Sequence, residues 1–290
     1  MRLNFATSRS FALVASILLF GFGLAGCASM RGAGASSAPV ANPAATYILV
    51  HGAFEDRRVW DEVVPRLAAR GAKAIAVNLP GRERDGTPLE AATLDGYREA
   101  VLAVVRAESG PVVLVGHSFG GITISNVAEA APEKIATLVY VAAYLPAVGA
   151  ADQSMAKIAE TDQWNRFNKE RQNFLLSPDY KSASVLADDR LLLFCADCSP
   201  AAQKKTLEIL QREPLAPAGT AVQLTAERFG RVDKVYVHTT RDNAVSYTLQ
   251  QRMVERTPVR KTFTLATGHS PFLEAPEALV EALLGAHSGR

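Results

Sequence analysis

The sequence predicts an α/β fold: a mostly parallel sheet flanked by helices on both faces, with a helical cap inserted late in the chain. Three observations carry this. From residue 46 onward, short and wholly apolar runs alternate with stretches of helical spacing, the pattern of parallel strands buried on both faces. The early runs stop at loops rich in Gly or Pro, at His51-Gly52, at Asn78-Leu79-Pro80-Gly81 and at Gly116. One segment, about 147–228, breaks the alternation. A composition of 48% hydrophobic and 21% charged residues is that of a globular chain, neither disordered nor polytopic in a membrane.

The elements follow in order. Tyr47–Val50 is a strand that ends at His51-Gly52, and a helix is expected from about Trp60 to Ala69. Ala74–Val77 is the next strand. Thr93–Glu108 has helical spacing, with Tyr97, Val101 and Val104/Val105 on one face. Val112–Val115 is a fully apolar strand, followed by a Gly-rich turn and a helix to about Ala130. Ile135–Ala143 is another strand. The insertion is polar and reads as mostly helical, with apolar clusters at Trp164/Phe167, Phe174–Leu176 and Leu191–Phe194. It begins just past a C-terminal strand end, where α/β sites form, so it is expected to cover a site; a separate helical domain is the alternative. A strand at Val235–Val237, a helix near Tyr247–Glu255, a strand at Thr262–Leu265 and a helix at Pro276–Leu284 complete the set.

The first 44 residues are of another kind. Arg2 and Arg9 precede FALVASILLFGFGLAG, residues 11–26, which is apolar and about 16 residues long. That is short of the ~20 residues a spanning helix needs, and a basic head before a short apolar core is the pattern of an export signal. The run ends in Leu24-Ala25-Gly26-Cys27, which resembles the lipobox of bacterial lipoproteins. The resemblance implies cleavage before Cys27, lipidation of that cysteine and a membrane partner held through it. With Ala28 rather than Asp next, it implies an exported lipoprotein of the cell envelope, in the outer membrane facing the periplasm. An uncleaved anchor or an ordinary signal peptide is the alternative. Residues 27–44 are small and Pro-containing and read as a flexible tether; the 17 residues after Cys27 span about 20–25 Å as a coil. The formal net charge of +2 is carried by Arg2 and Arg9, and the remaining side chains balance. Such a chain offers no basic surface for nucleic acid.

Gly116-His117-Ser118-Phe119-Gly120 is a G-x-S-x-G sequence between a strand and a helix, the context that a nucleophile elbow requires. A serine needs a base, and the chain has five histidines to supply one. His51 and His238 sit at strand ends, His117 adjoins the serine and points elsewhere, and His287 lies in the C-terminal tail. His269, in Thr267-Gly268-His269-Ser270-Pro271 after the last strand, is the candidate that can reach the elbow. The base needs an acid to fix its tautomer, and in elbow folds that acid precedes the histidine. Asp242 closely follows the strand at 235–238; Asp233 lies at the wrong end of it, and Asp152 lies within the insertion. Two backbone N–H groups are placed to hold an oxyanion: that of Phe119, after the nucleophile, and that of Ala53, in the loop His51-Gly52-Ala53 after the first strand.

Ser118, Asp242 and His269 in this order, with that loop, resemble the α/β-hydrolase superfamily over residues about 45–290. VHGAF, GHSFGG, CSPAAQKKTLEILQREPLAP and KVYVHTTRD are similar to the plant methyl esterase and hydroxynitrile lyase branch and its bacterial esterase relatives. The resemblance implies the α/β-hydrolase fold, a Ser118–His269–Asp242 triad, Ala53 and Phe119 as oxyanion amides, a small-molecule ester substrate and no cofactor. Lyases of that branch carry Thr where this chain has Gly52, and a Lys near the catalytic histidine, whereas this chain has no lysine after Thr264. The expected activity is therefore a serine carboxylesterase acting on small to medium, hydrophobic esters. The alternatives are a lyase or cofactor-free perhydrolase on the same triad, or a ligand-binding lipoprotein without catalysis. The loop GHSPF departs from the plant esterases' pattern, which bears on the substrate pocket. Cys195 and Cys198 form a C-x-x-C with no further ligands at zinc spacing, so no metal is expected. In an exported chain they are open to a disulfide, with two free thiols as the alternative. The oligomeric state is not read from the sequence.

Overall fold

The computed structural model describes residues 45–82, 86–163 and 173–288. The segment 1–26, Cys27 and the tether to residue 44 lie outside the described residues, as do Trp164 and Phe167. Six strands form the main sheet: β1 Thr46–Val50, β2 Lys73–Val77, β3 Val112–His117, β4 Ile135–Val141, β8 Lys234–Thr239 and β9 Lys261–Leu265. Their order is β2-β1-β3-β4-β8-β9, and every pairing is parallel.

Burial follows position in the sheet. The inner strands β3 and β8 are buried throughout, whereas the edge strands β2 and β9 expose residues such as Lys73, Lys261 and Thr264. Side chains alternate between two layers. Tyr47, Leu49, Val113, Val115 and Val237 pack with α1 (Val63–Ala69) and α9 (Pro276–His287). Ile48, Val50, Leu114, Leu138 and Tyr236 pack with α2 (Leu94–Ala107), α3 (Gly120–Ala130) and α8 (Tyr247–Arg256). Each such aliphatic side chain contributes about 1.5–3 kcal/mol on burial. Side-chain caps fix two helix starts: Thr93 Oγ1 accepts the Gly96 N–H at 3.0 Å, and Ser246 Oγ accepts the Leu249 N–H at 3.1 Å.

Several expectations are corrected in detail. The helix read from Trp60 is a 3₁₀ turn, Arg57–Trp60, followed by α1; Asp56 caps the turn, and Trp60 is buried against the Phe272 ring. The strand read to Ala143 ends at Val141, and the last helix runs on to His287, which is therefore helical rather than part of a polar tail. The insertion is not simply helical. It holds α4 (Met155–Glu160), α5 (Arg190–Phe194), α6 (Pro200–Ile209) and α7 (Leu215–Gly219). It also holds an antiparallel sheet of β5 (Phe174–Leu176), β6 (Ser182–Val185) and β7 (Glu213–Pro214). Runs as short as Phe174–Leu176 have no period that separates strand from helix. Cys195 and Cys198, just after α5, are disulfide-bonded with Cα atoms 5.1 Å apart.

β1 leads on to β2 on one side, and β3 lies on its other side. That reversal opens a crevice over the C-terminal ends of β1 and β3. The loops after β1, β3, β8 and β9 all emerge on this edge.

Candidate active site

The turn after β3 builds the nucleophile's position. Ser118 has φ +50°, a left-handed conformation that is costly for a residue with a side chain. The surroundings hold it there: the Ser118 N–H donates to Val141 O at 3.2 Å, and its carbonyl accepts from the N–H groups of Gly121 and Tyr144, both at 3.0 Å. Glycine at 121 is a steric need, since a Cβ there would collide with the Tyr144 carbonyl, which is backbone and cannot swing aside. Gly121→Ala is expected to abolish activity and lower Tm, checked by thermal unfolding; an unchanged Tm would contradict this packing. α3 begins directly after Phe119, so the Phe119 N–H sits at the positive end of a helix. The Phe119 ring is buried against Tyr97.

The loops after β8 and β9 bring Asp242 and His269 together. His269 Nδ1 lies 2.8 Å from Asp242 Oδ2, and both side chains are almost wholly buried. Asp242 Oδ2 also accepts from Thr239 Oγ1 at 2.8 Å and Gln250 Nε2 at 3.3 Å. Its Oδ1 accepts the N–H groups of Ala244 and Val245, both at 2.8 Å. A carboxylate so surrounded by donors has no proton to give, so His269 Nδ1 carries the hydrogen and Nε2 keeps its lone pair. Burial pushes the His269 pKa down, but the charge and hydrogen bond of Asp242, with a contribution from the charge of Glu55, outweigh it and leave it raised.

Ser118, His269 and Ala53 line one cavity of about 120 Å³. Its walls are Phe54, Tyr144, Met155, Phe174, Leu193 and Phe194. Met155, Phe174, Leu193 and Phe194 come from the insertion, which therefore forms part of the cavity wall. The Phe54 and Phe174 rings stack at 5.3 Å, and Phe194 meets His269 edge-on at 5.6 Å. The cap is pinned beside the acid loop: Asp162 accepts both the N–H and the Oγ–H of Ser246, and Asn243 Nδ2 donates to Leu192 O. A larger cleft of about 630 Å³ near Lys157 and Met253 is lined by neither Ser118 nor His269. Convergent polar groups, not size, mark the candidate site. Among the described residues, no three His, Cys, Asp or Glu side chains cluster as metal ligands would.

Hydrogen bonds hold the loop after β1. His51 Nε2 accepts the Leu79 N–H at 3.1 Å, so its hydrogen sits on Nδ1, 2.8 Å from Gly52 O. Burial, aided by the charge of Arg82, pushes the His51 pKa down to about 3, so the ring is neutral. A Cβ at Gly52 would lie 2.8 Å from Ser118 Cβ and 2.9 Å from His117 Nδ1, so this loop has no room for a side chain at that position. His117 does point away from the serine, and it supports the site: Nδ1 lies 3.1 Å from Glu55 Oε2 and Nε2 2.8 Å from His269 O. Glu55, Gln250, Arg82 and Glu213 were not singled out by the sequence. Only Glu55 carried a signal, an acid two residues beyond Ala53.

Comparison with known proteins places the chain in a family. The Alpha/beta hydrolase family model matches residues 47–282. A pyrethroid hydrolase of Sphingobium wenxiniae is 27% identical over 243 residues, which is 81% of this chain and 85% of that one. Methylesterase 7 of Arabidopsis thaliana is 26% identical over 257 residues, 82% of this chain and 94% of that one. The crystal structure of a pyrethroid hydrolase from Sphingobium faniae superposes with a TM-score of 0.73 at 25% identity, covering 84% of this chain and 98% of that one.

Proposed function

Because the chain belongs to the alpha/beta hydrolase family, we propose that it is a serine carboxylesterase acting on small to medium hydrophobic esters. The carrying observation is that His269, paired with Asp242 at 2.8 Å, lines the same cavity as a strained, elbow-held Ser118. His269 Nε2 takes the Ser118 proton as the hydroxyl attacks the ester carbonyl. The N–H groups of Ala53 and Phe119 hold the oxyanion, each worth about 3–4 kcal/mol. The leaving alcohol takes the proton from His269, and water activated by the same nitrogen cleaves the acyl-enzyme. The names of the relatives, a pyrethroid hydrolase and a methylesterase, support an ester substrate. The apolar walls support a hydrophobic one.

Ser118→Ala is expected to abolish turnover of short p-nitrophenyl esters; retained turnover would sink the assignment. A fluorophosphonate probe should label Ser118 in the parent protein, and an unlabelled chain would instead favour the ligand-binding reading. His269 must be neutral to act as a base, and its pKa is raised. The acid limb of kcat/KM is therefore expected above the ordinary histidine value of about 6.5, and a limb below that value would count against His269. The crowding at Gly52 weighs against the lyase alternative, because the threonine of that chemistry has no space beside Ser118 Cβ.

The reading extends to location. The protein is an exported lipoprotein held in the cell envelope through Cys27, with the tether carrying the hydrolase domain just off the outer membrane on its periplasmic side. The Cys195–Cys198 disulfide is in keeping with an oxidising compartment. Cys27→Ser should move the protein from the membrane to the soluble fraction, and retention at the membrane would overturn the lipid anchor.

A further inference from the structure

Two buried carboxylates that this mechanism leaves unused face the loop after β1. Glu55, only 2% exposed, accepts the Gly52 N–H on Oε2 at 3.2 Å. Glu213, also 2% exposed, comes from β7 of the cap and accepts the Phe54 N–H on Oε2 at 2.6 Å. Between those two amides lies that of Ala53, the residue that lines the cavity beside Ser118. Peptide units are planar, so anchoring the amides on either side leaves the Ala53 N–H little freedom to turn away.

A bare carboxylate near a developing oxyanion would oppose its charge, and each of these two is neutralised. Arg82 Nη1 lies 2.7 Å from Glu213 Oε2, and Nη2 lies 3.1 Å from Oε1. For Glu55 the neutralising partner follows from a proton count. His117 Nε2 is 2.8 Å from the His269 carbonyl, which only accepts, so Nε2 carries a hydrogen. The contact of His117 Nδ1 with Glu55 Oε2 at 3.1 Å then needs one more proton, shared between ring and carboxyl. The pair has no net charge on whichever side that proton sits.

We propose that Glu55 and Glu213 are positioning residues that clamp the amides flanking Ala53 and so aim its N–H at the oxyanion, with His117 and Arg82 cancelling their charge. The proposal rests on the reading of Ala53 as an oxyanion donor. Glu55 has a second effect: through His117 it ties the loop after β1 to the backbone of His269, so donor and base are spaced by one line of hydrogen bonds behind Ser118. Glu213 makes the same loop depend on the seating of the cap.

Glu55→Gln tests this with almost no change of shape. One amide atom at the Oε2 position cannot both accept from Gly52 and supply the proton that His117 Nδ1 lacks. kcat is expected to fall about 10- to 100-fold with KM within about twofold of the parent. A trifluoromethyl ketone, which adds to the serine and places an oxyanion in the hole, should bind more weakly by the same factor as kcat/KM falls. The alcohol of the same skeleton forms no oxyanion and should bind as before. A kcat within about twofold of the parent, or equal weakening of ketone and alcohol, would overturn the clamp. Should Glu55→Gln fail to fold, Glu213→Leu combined with Arg82→Met carries the same comparison, since it removes the acceptor of the Phe54 N–H together with the charge that faces it. Ser118→Ala, measured alongside, keeps the two readings apart. If it retains turnover, the Ser118 mechanism is wrong; if it is inactive while Glu55→Gln keeps full kcat, only the clamp is wrong.

Discussion

Asp242→Asn is expected to lower kcat/KM by about 10⁴-fold, or about 5.5 kcal/mol of transition-state stabilisation, in a protein that still folds. The surroundings decide which way the amide points. Asp242 Oδ1 accepts two backbone N–H groups, from Ala244 and Val245. Neither can be satisfied by an NH₂ group, so the asparagine oxygen takes that side. Its NH₂ then falls where Oδ2 stood, 2.8 Å from His269 Nδ1, and donates to that nitrogen. The His269 hydrogen is forced onto Nε2, which can no longer accept the Ser118 proton. Four of the five contacts of the carboxylate survive or adapt, because Thr239 Oγ1 can turn to accept, so the loop keeps its shape. Loss of the Asp242 charge also removes the main influence that raises the His269 pKa, so residual activity should show its acid limb at lower pH than the parent. A kcat/KM within about tenfold of the parent would mean that His269 is not oriented by Asp242.

What the sequence made legible is what local sterics and long apolar runs dictate. β1, β3, β4 and β8 could be read because strands covered on both faces must be apolar nearly throughout. The elbow could be read because a serine at φ +50° needs small neighbours. His269 could be singled out as the candidate base because only five histidines compete and the others read as strand-end, serine-adjacent or C-terminal-tail residues. The supporting residues could not. Glu55-Asp56-Arg57-Arg58 looks like a solvated charge run, yet Glu55 is buried beneath the loop and Arg57 is exposed. Arg82 and Glu213 stand 131 residues apart, and no spacing rule links them. Gln250 reads as one polar position on an amphipathic helix, although it is 0% exposed and bonded to Thr239 and Asp242. The small cap sheet was missed for a related reason: its three strands are two to four residues long, too short for any period to declare itself.

Glu213→Ala is expected to destabilise the protein by about 3–5 kcal/mol, which for a domain of this size lowers Tm by about 6–20 °C. The side chains of Arg82 and Glu213 are 0% and 2% exposed. Burial works against the Arg82 charge, and Glu213 is the largest of the groups that offset it, with Tyr97 and Glu55 adding to it. Removing the carboxylate leaves a guanidinium in the interior, a Phe54 N–H without its acceptor and a Tyr97 hydroxyl without the oxygen 3.4 Å away. Stability and positioning can be separated by replacing both charges. Arg82→Met combined with Glu213→Leu removes both charges of this buried pair, and apolar replacement of a buried pair is often neutral in stability. Tm should therefore return most of the way, while kcat stays low because the Phe54 amide still has no acceptor to aim the neighbouring Ala53 N–H. If kcat returns together with Tm, Glu213 acts only by holding the cap in place; a recovered Tm with kcat still depressed assigns it a separate effect on the oxyanion loop.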